Sequence, residues 1–557
     1  MHYKYNPSQI SPQELEATFV GREYLMEEIL SKLNQQAQAK SNQNYLIIGP
    51  RGIGKTNTLL ILKNRIIFNK TLSRGYLPLN FAEEEYSVIT LRDFFVKILE
   101  VLKQDWLQDD CLTAFNEISR ENSDEKAVEK AISFLKTFSH KNSYKLLLFI
   151  DNFELIFSDQ IRQQSAVKRL RDVLMNDNFM LIIGAAPTYF EEVMNYKQPL
   201  YNFFKIYSLE EFDFTLMQEL LFKQASCDNN NKLVERLKTY QPKLKALYHL
   251  TGGNPRMILM LYQALAFSEL PGVKTVLNSL LDDLTPYFKN KLESIRSPQQ
   301  RKIVDTLALL DRAASPTELA RAARLPVNQV SSLIKRLQNE GYIRLAPQKR
   351  RKTTYYILSE RLFRIWHQMR YQSSHHQNMP FLIEFISIWY SLKELKTNQE
   401  QFEMAVQNSN NEMTSAHQEN DIKSQKNDTA NKIQSLLNRA LKQLEQKNFG
   451  KAKQFFMQTL QLKSRVYDQL WHQVLVEFFS NFITKYHCEF FFELYELLKK
   501  KSLQEEAELL RPMAIVCDYW QKGEDAEVLD RLNPELRELV EDIIKTSRNK
   551  KEISNIE

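Results

Sequence analysis

Three short and strongly apolar runs, at residues 45–48, 145–150 and 179–183, interrupt helical patterns in the first 213 residues. Each run is apolar at successive positions, which is typical of a strand buried on both faces. Amphipathic helical patterns fill the segments between the runs. This alternation predicts a parallel sheet with crossover helices, and therefore an α/β domain over residues 1–213.

The pattern after residue 213 is almost entirely helical. One segment is rich in Asn, Gln, Ser, Lys and Glu and holds few large apolar side chains, so it cannot bury enough surface to fold. We therefore predict an all-α lid domain, a unit of three helices and a hairpin, a connecting helix, a flexible linker and an α-helical C-terminal domain. Their predicted bounds, in that order, are 214–284, 285–371, 372–397, 398–431 and 432–557.

The loop after the first apolar run fits the phosphate-binding pattern GxxxxGK[ST] at every fixed position. Its glycines let successive backbone N–H groups point at phosphates, and the N-terminus of the following helix adds positive potential. Lys55 is placed to neutralise the β- and γ-phosphates, and the Thr56 hydroxyl to bind Mg²⁺. The loop predicts binding of a purine triphosphate with magnesium. The predicted nucleotide-binding residues here are Gly49, Pro50, Arg51, Gly52, Ile53, Gly54, Lys55, Thr56 and Asn57.

A carboxylate, Asp151, follows the second apolar run. At the carboxyl edge of the sheet, where α/β folds bind nucleotides, it is predicted to hold magnesium together with Thr56. Glu154 is a candidate base for the attacking water, or else caps the following helix. The commoner arrangement places this acid directly after the aspartate, where this chain has Asn152. The predicted catalytic residues are Lys55, Asp151 and Glu154.

These motifs together resemble the STAND and Orc/Cdc6-like P-loop ATPases of the AAA+ superfamily. Phe19-Val-Gly-Arg-Glu23 is similar to their adenine-side motif. That resemblance implies ATP as the nucleotide, with Gly21 and Arg22 beside it. The segment Asp151-Asn-Phe-Glu154 resembles the second motif of bacterial STAND ATPases in particular.

Gly252-Gly-Asn-Pro-Arg256 resembles the sensor-2 motif of both groups. The resemblance implies that Pro255 begins a lid helix, a position that its fixed φ suits, and that Arg256 reaches the γ-phosphate. It covers about the first 370 residues of the chain.

Two departures from this family pattern bear on hydrolysis. The strand that ends near residue 187 lacks the usual polar or arginine sensor and has only Thr188 nearby. Residues 199–205 resemble the place of a finger arginine but end in Lys205, which cannot make the same bidentate phosphate contact. We therefore expect slow turnover and a switch-like role, rather than hydrolysis driven by assembly.

Residues 285–371 are similar to a MarR-like winged helix-turn-helix. Ser315-Pro-Thr-Glu318 is a capping box that begins the second helix, and a basic tip joins two alternating strands after the third helix. One hypothesis places the third helix in a DNA major groove and the tip on phosphates. The alternative is a spacer that packs on the ATPase module and holds it closed. The predicted DNA contacts are Asn328, Gln329, Ser332, Lys335, Lys349, Arg350, Arg351 and Lys352.

The C-terminal helices resemble tetratricopeptide units. Ala440, residues 448–452 and Phe456 have the small-residue and aromatic spacing of one unit, and residues 518–526 echo a second. Such repeats stack into a continuous core and present a groove to partner peptides. Since no effector signature is evident in the sequence, we expect a separate effector or partner protein.

Composition adds limits on location. A net charge of +7 is mild for 557 residues, so it permits nucleic-acid contact without requiring it. Four scattered cysteines without a CxxC pair argue against a disulfide framework or zinc site. The start lacks a signal peptide, and no apolar stretch is long enough for a membrane span. We expect a cytoplasmic protein without membrane contact.

The sequence therefore predicts a STAND-type molecular switch that binds ATP and Mg²⁺ and hydrolyses ATP slowly, coupling nucleotide state to a partner in bacterial signalling or defence. Duplex DNA and a nucleotide-dependent homo-oligomer are further candidate partners. One alternative is an Orc/Cdc6-like DNA-binding ATPase that acts on an origin, transposon or plasmid. Another is an adaptor that ATP stabilises without being hydrolysed.

Overall fold

The chain divides into two units, each with its own dense internal packing. The first comprises residues 1–234, 253–266 and 339–341, and the second comprises residues 235–252, 267–338 and 342–557. The division runs through the predicted lid, at 214–284. The computed structural model describes residues 10–37, 42–81, 86–106, 109–239, 241–266, 273–310, 312–346, 354–371, 378–397, 420–462, 468–483, 487–500 and 503–554.

Five parallel strands form the sheet of the first unit: β1 (Asn44–Ile48), β2 (Tyr76–Asn80), β3 (Lys145–Ile150), β4 (Met180–Ala186) and β5 (Phe204–Ser208). Their order is β2-β3-β4-β1-β5, and every neighbouring pair is parallel. The predicted parallel sheet is confirmed. The sequence pattern had indicated the three inner strands alone, because β2 and β5 lie at the edges and are only partly buried.

Helices cover both faces of this sheet. They are α1 (Pro12–Ala17), α2 (Glu23–Gln36), α3 (Lys55–Phe68), α4 (Leu91–Trp106), α5 (Asp109–Ser119), α6 (Asp124–Asn142), α7 (Gln164–Asn176) and α8 (Glu191–Met194). A further helix, α9 (Phe214–Cys227), follows β5 and packs against α1 and α12. A π-helical segment, Leu155–Gln160, follows β3. Alternate residues of the inner strands enter two separate apolar cores, as Leu147 and Leu148 do on opposite faces. This two-sided burial explains the near-continuous apolar runs in the sequence.

The next helices are α10 (Asn231–Thr239), α11 (Gln241–Thr251), α12 (Pro255–Ala266) and α13 (Val273–Glu293). Of these, α12 belongs to the first unit, where it packs against α9. Helix α12 begins at Pro255, as its sequence context predicts.

Three helices and an antiparallel hairpin then follow in the second unit. They are α14 (Pro298–Leu309), α15 (Pro316–Ala323), α16 (Val327–Asn339), β6 (Ile343–Leu345) and β7 (Tyr356–Leu358). The predicted capping box forms in both directions between Ser315 and Glu318. Ala314 extends the hairpin through a bridge to Tyr356. The order of elements is the one predicted from the sequence for residues 285–371.

The rest of the second unit is helical. Its helices are α17 (Arg361–Tyr371), α18 (Asn378–Thr397), α19 (Asn420–Glu445), α20 (Phe449–Leu462), α21 (Asp468–Phe482), α22 (Cys488–Leu498), α23 (Gln504–Leu509), α24 (Arg511–Gln521), α25 (Ala526–Asp530) and α26 (Pro534–Ser554). Since α19 begins at Asn420, residues 420–431 of the predicted linker are helical; residues 398–419 lie outside the described part of the chain.

The tetratricopeptide interpretation stays a prediction for the C-terminal helices. Ala440, Ala452 and Phe456 are fully buried where α19 and α20 pack together. The second predicted unit does not form a matching helical pair, because α25 is only five residues long. Helix α26 instead packs against α11 and α24. No helix in the described ranges has the length and apolar character needed to cross a membrane.

Candidate nucleotide-binding site

The phosphate loop joins β1 to α3 and has left-handed backbone at two glycines. Gly52 has φ +79° and Gly54, the residue before α3, has φ +96°. At position 52 a Cβ would lie 2.7 Å from Asn254 Oδ1 and 2.9 Å from Arg256 Cβ. Glycine is therefore required there twice, by the backbone conformation and by the close approach of the α12 start.

Lys55, the first residue of α3, is buried, with 8% of its surface exposed. Its Nζ donates to the carbonyl of Gly49 at 2.8 Å and to that of Pro50 at 3.3 Å. The ammonium group therefore lies inside the curve of the loop. Positive charge at the N-terminus of a helix is a suitable arrangement for an anion.

The structure brings together the two residues predicted to hold magnesium. The Thr56 hydroxyl donates to Asp151 Oδ2, although the two residues are far apart in sequence. Asp151 Oδ1 accepts from the backbone N–H of Asn152 at 2.9 Å, and Asn152 takes up left-handed backbone with φ +49°. A hydroxyl and a carboxylate are hard oxygen donors of the kind Mg²⁺ prefers. The described residues contain no group of three His, Cys, Asp or Glu side chains that could hold a metal ion, and Mg²⁺ needs none because it keeps several waters.

Glu154 lies directly before the π-helical segment and is partly buried. It makes no side-chain capping hydrogen bond to that segment, so the capping alternative finds no support. Its assignment as a base stays a prediction.

Gly21 and Arg22, predicted to lie on the adenine side, precede α2. Gly21 has φ +68°, and a Cβ there would lie 2.9 Å from Leu216 Cδ1 on α9. The Arg22 guanidinium donates to the carbonyl of Glu210 and lies 4.8 Å from the ring centre of Phe212. Burial lowers the pKa of Arg22, although neighbouring acidic residues oppose the effect.

Residues 253–256 contact the phosphate loop directly. Asn254 Nδ2 donates to the carbonyl of Arg51 at 2.9 Å, and Asn254 Oδ1 accepts from the Arg256 N–H at 3.1 Å. The Arg256 N–H also donates to the carbonyl of Gly52 at 3.1 Å. Pro255 and Arg256 were predicted from the sequence, whereas Asn254 was missed. A polar residue directly before a helix-starting proline is a capping signal that could have identified it.

Gly253 explains how this segment comes so close to the loop. Its carbonyl accepts from the Phe212 N–H at 2.8 Å, and a Cβ at position 253 would lie only 1.7 Å from the Phe212 oxygen. The two backbones are in direct contact, which no side chain would allow.

A cleft opens beside the loop, entirely within the first unit. Most of its lining residues are apolar, and they come from α1, the residues before α2, the phosphate loop and start of α3, α9 and α12. The lining residues are Ile10, Glu14, Leu15, Thr18, Phe19, Val20, Arg22, Ile53, Gly54, Asn57, Thr58, Ile61, Phe212, Leu220, Gln224, Pro255 and Leu259. The predicted residues Arg22, Ile53, Gly54, Asn57 and Pro255 are among them.

Lys205, at the expected place of a finger arginine, lies in β5. Its ammonium pairs with Glu28 on α2, and this hydrogen bond raises the pKa of Lys205 and lowers that of Glu28. The lysine is therefore engaged within its own domain. The end of β4 is likewise apolar, since Ala185 and Ala186 are fully buried.

The predicted DNA contacts lie on α16 and at the hairpin tip. Asn328, Ser332 and Lys335 are exposed on α16, whereas Gln329 is partly buried and donates to Gln299 Oε1 at 2.8 Å. Lys349, Arg350, Arg351 and Lys352 lie outside the described residues.

The candidate nucleotide-binding site lies within a segment that resembles a known family of ATPase domains. Residues 19–261 match the model of a family described as an ATPase domain predominantly from Archaea. The matched segment includes the phosphate loop, Asp151 and residues 253–256. Among curated proteins the chain has no match.

Solved structures with a similar fold include a Walker-type ATPase of Pyrococcus abyssi, with 13% identity, a TM-score of 0.48, and coverage of 63% of this chain and 96% of the other. The ORC2 protein of Aeropyrum pernix has 12% identity, a TM-score of 0.44, and coverage of 63% and 95%. The RuvB Holliday junction branch migration motor of Thermotoga maritima has 15% identity, a TM-score of 0.32, and coverage of 64% and 96%. Residues 19–261 are therefore similar to an ATPase domain, and they contain the five-stranded parallel sheet and the phosphate loop.

Proposed function

We propose that this chain binds Mg-ATP at the phosphate loop and works as an ATP-dependent switch. The observation that carries the proposal is the set of hydrogen bonds from Asn254 and Arg256 to the carbonyls of Arg51 and Gly52. Any rearrangement of the loop around a triphosphate acts directly on the start of α12. Nucleotide state is thereby coupled to the position of that helix.

The roles of the individual groups follow from their chemistry. Lys55 neutralises the β- and γ-phosphates, and backbone N–H groups of the loop bind the phosphate oxygens. Thr56 and Asp151 hold the magnesium ion, which supplies charge neutralisation to the triphosphate. Arg256 responds to the γ-phosphate, since its stem lies against Gly52. The apolar cleft takes the adenine base.

Turnover is slow in this proposal. Lys205 is held by Glu28, and the end of β4 offers buried alanines where a polar sensor would act. In the described part of the domain, neither a finger arginine nor a polar sensor on β4 is therefore in place to stabilise the charge of the transition state. Glu154 orients or deprotonates the attacking water. The non-hydrolysing adaptor is the limiting case in which wild-type protein releases no phosphate.

The test is magnesium-dependent ATP binding, measured by calorimetry on the full chain, together with light scattering in ADP and in ATP. We expect binding and an ATP-dependent change in shape or assembly, both lost in Lys55→Ala. Lys63→Ala, a change of another lysine on α3, serves as the control and retains both. Wild-type protein that binds no purine triphosphate would refute the proposal, and binding without any change of state would refute the switch.

A second candidate function is binding of duplex DNA, in the manner of an Orc/Cdc6-like ATPase. It is favoured by the exposed polar face of α16, where Asn328, Ser332 and Lys335 lie together at helical spacing. Lys335→Ala should weaken duplex binding and reduce its salt dependence, because one phosphate contact is lost. Lys302→Ala, an exposed lysine on α14, should have no effect. Equal binding by both variants and wild type would remove α16 from consideration.

Arg350→Ala combined with Arg351→Ala tests the basic tip in the same assay. The proposal also includes a separate partner protein that this chain binds, and assembly of this chain with itself that depends on the bound nucleotide. Light scattering with ATP, with and without duplex DNA, reports on assembly directly.

A further inference from the structure

Gln224 is a polar residue that lines the cleft but has no role in the proposed binding of the triphosphate and magnesium. It lies on α9, lines the cleft that reaches Gly54, and has only 4% of its surface exposed. Within the described ranges of the chain, its side-chain Nε2 has no hydrogen-bond partner. Native proteins pair nearly all buried amide groups, so this donor calls for an acceptor that the protein itself does not provide.

Two threonine hydroxyls of the cleft are already satisfied by the protein. Thr18 donates its hydroxyl proton to the carbonyl of Glu14 at 2.8 Å, and Thr58 donates to that of Gly54 at 2.8 Å. The Arg22 guanidinium is bonded to the carbonyl of Glu210. Arg22 Nε, however, is a second buried donor without a partner in the described residues. A guanidinium can only donate, so of these two side chains Gln224 is the one that can both donate to a base and accept from it.

The surroundings of Gln224 are suited to a flat heteroaromatic ring. Phe19, Val20, Ile61, Leu220 and Leu259 supply apolar side chains around the same cleft. A cleft with many apolar lining residues and a few well-placed polar groups is the usual form of a small-molecule site, in which the polar groups fix orientation and specificity. The cleft is also continuous with the phosphate loop at Ile53 and Gly54, so a base and its triphosphate would occupy adjoining spaces.

We propose that Gln224 selects adenine as the base of the bound nucleotide. Nε2 donates to N7 while Oε1 accepts from the exocyclic 6-amino group, a pairing for which the glutamine carboxamide is matched to adenine. Guanine presents two acceptors on that edge, N7 and O6, so one of them would face Oε1 in either orientation of the carboxamide. This inference rests on the proposed function, because the base occupies the cleft only when phosphates bind the loop.

The experiment compares wild type with Gln224→Leu, which removes both polar atoms, and Gln224→Glu, which keeps the shape but removes the amide donor. Gln218→Leu makes the same chemical change on α9 away from the cleft and is the matched control. Affinities of the full chain are measured with magnesium for ATP, GTP, purine riboside triphosphate and tripolyphosphate. Purine riboside triphosphate lacks the 6-amino group, and tripolyphosphate lacks a base.

We expect Gln224→Leu and Gln224→Glu to weaken ATP binding by about 5- to 100-fold, the range for loss of a bidentate amide–base pair. Tripolyphosphate binding should not change. Wild type should prefer ATP over GTP and over purine riboside triphosphate, and both preferences should collapse in Gln224→Leu. Gln218→Leu should behave as wild type in all four titrations.

Unchanged ATP affinity and an unchanged ATP-to-GTP ratio in Gln224→Leu would overturn the inference while leaving the proposed function intact. Equal losses for ATP and tripolyphosphate would also overturn it, since Gln224 would then act through the fold of the site. Wild-type protein that binds neither ATP nor tripolyphosphate would instead refute the proposed function on which the inference rests.

Discussion

Asn254 Nδ2 donates a hydrogen bond of 2.9 Å to the backbone carbonyl of Arg51 in the phosphate loop. Because a trans peptide unit is planar, a carbonyl held toward Asn254 directs the N–H of Gly52 the opposite way. The Arg256 N–H holds the next carbonyl, that of Gly52, in the same manner. The start of α12 therefore determines the orientation of two successive peptide units of the loop.

Asn254→Ala should reduce ATP affinity by up to about tenfold, because loss of this partly buried hydrogen bond, worth about 1 kcal/mol, frees the peptide unit to rotate. Calorimetric titration with Mg-ATP measures the effect. Asn230→Ala is the control: Asn230 accepts from the Leu233 N–H at 3.1 Å at the start of α10, without contact to the loop. Its loss should cost stability but leave ATP affinity unchanged. Equal affinities in both variants would show that the loop holds its shape alone.

Thr56→Val and Asp151→Asn should each reduce ATP affinity at least about tenfold in magnesium, equivalent to about 1.4 kcal/mol. The physical reason is the pair of oxygen donors that the Thr56–Asp151 hydrogen bond brings together. In EDTA both variants should bind ATP as wild type does. Thr137→Val removes an exposed hydroxyl on α6 and should retain the full magnesium effect. Magnesium dependence that persists in Asp151→Asn would contradict the assignment.

Gly253→Ala should destabilise the first unit by about 1–3 kcal/mol, since the new methyl group would collide with the Phe212 backbone. Urea denaturation measures the change. Gly450→Ala offers a contrast, because a Cβ there meets nothing within 4 Å on α20. That change should be neutral or stabilise by up to about 1 kcal/mol through reduced chain entropy. Similar unfolding curves for the two variants would argue against the close backbone contact.

Glu538 on α26 forms a polar cluster inside the second unit. Its Oε2 accepts from Arg361 at 2.9 Å and lies 3.1 Å from His249 Nδ1. Burial alone would raise the pKa of Glu538, but the Arg361 guanidinium and His249 outweigh it and hold the pKa at about 2, against an ordinary value of 4.5. The carboxylate thus stabilises the folded state fully above about pH 4.5, and this contribution is lost as the pH falls toward 2.

Glu538→Gln should therefore lower the free energy of unfolding at neutral pH by about 3 kcal/mol, because it leaves Arg361 without its charged partner. The difference from wild type should shrink between pH 4.5 and 2, in the range where the wild-type carboxylate itself becomes protonated. Glu541→Gln removes an exposed carboxylate from the same helix and should cost at most about 1 kcal/mol. Denaturant unfolding at several pH values checks both, and a pH-independent difference would contradict the linkage.

The sequence predicted the inner strands and the phosphate loop well because both signals are local. Strands buried on two faces read as continuous apolar runs, and the loop residues 49–56 are contiguous. Strands β2 and β5 were not predicted from the sequence because an edge strand is only partly buried and keeps polar positions. The predicted linker wrongly included residues 420–431. This polar segment is the first part of α19, a helix whose later residues are buried.

Local spacing alone predicts that Lys55, Thr56 and Asp151 belong to a phosphate site, since each follows from a strand end or a loop pattern. The role of Asn254 was decided by tertiary structure, because its partner Arg51 is 203 residues away. The same holds for Gln224. The sequence of α9 indicates only that this position is buried in a helix, whereas the tertiary structure shows that its amide is unpaired among the described residues and lines a cleft formed with α1 and α12. The pattern of apolar and polar residues in the sequence indicates which positions of one helix or strand are buried. The hydrogen-bond partners of a polar side chain depend instead on which helices and strands pack together in the tertiary structure.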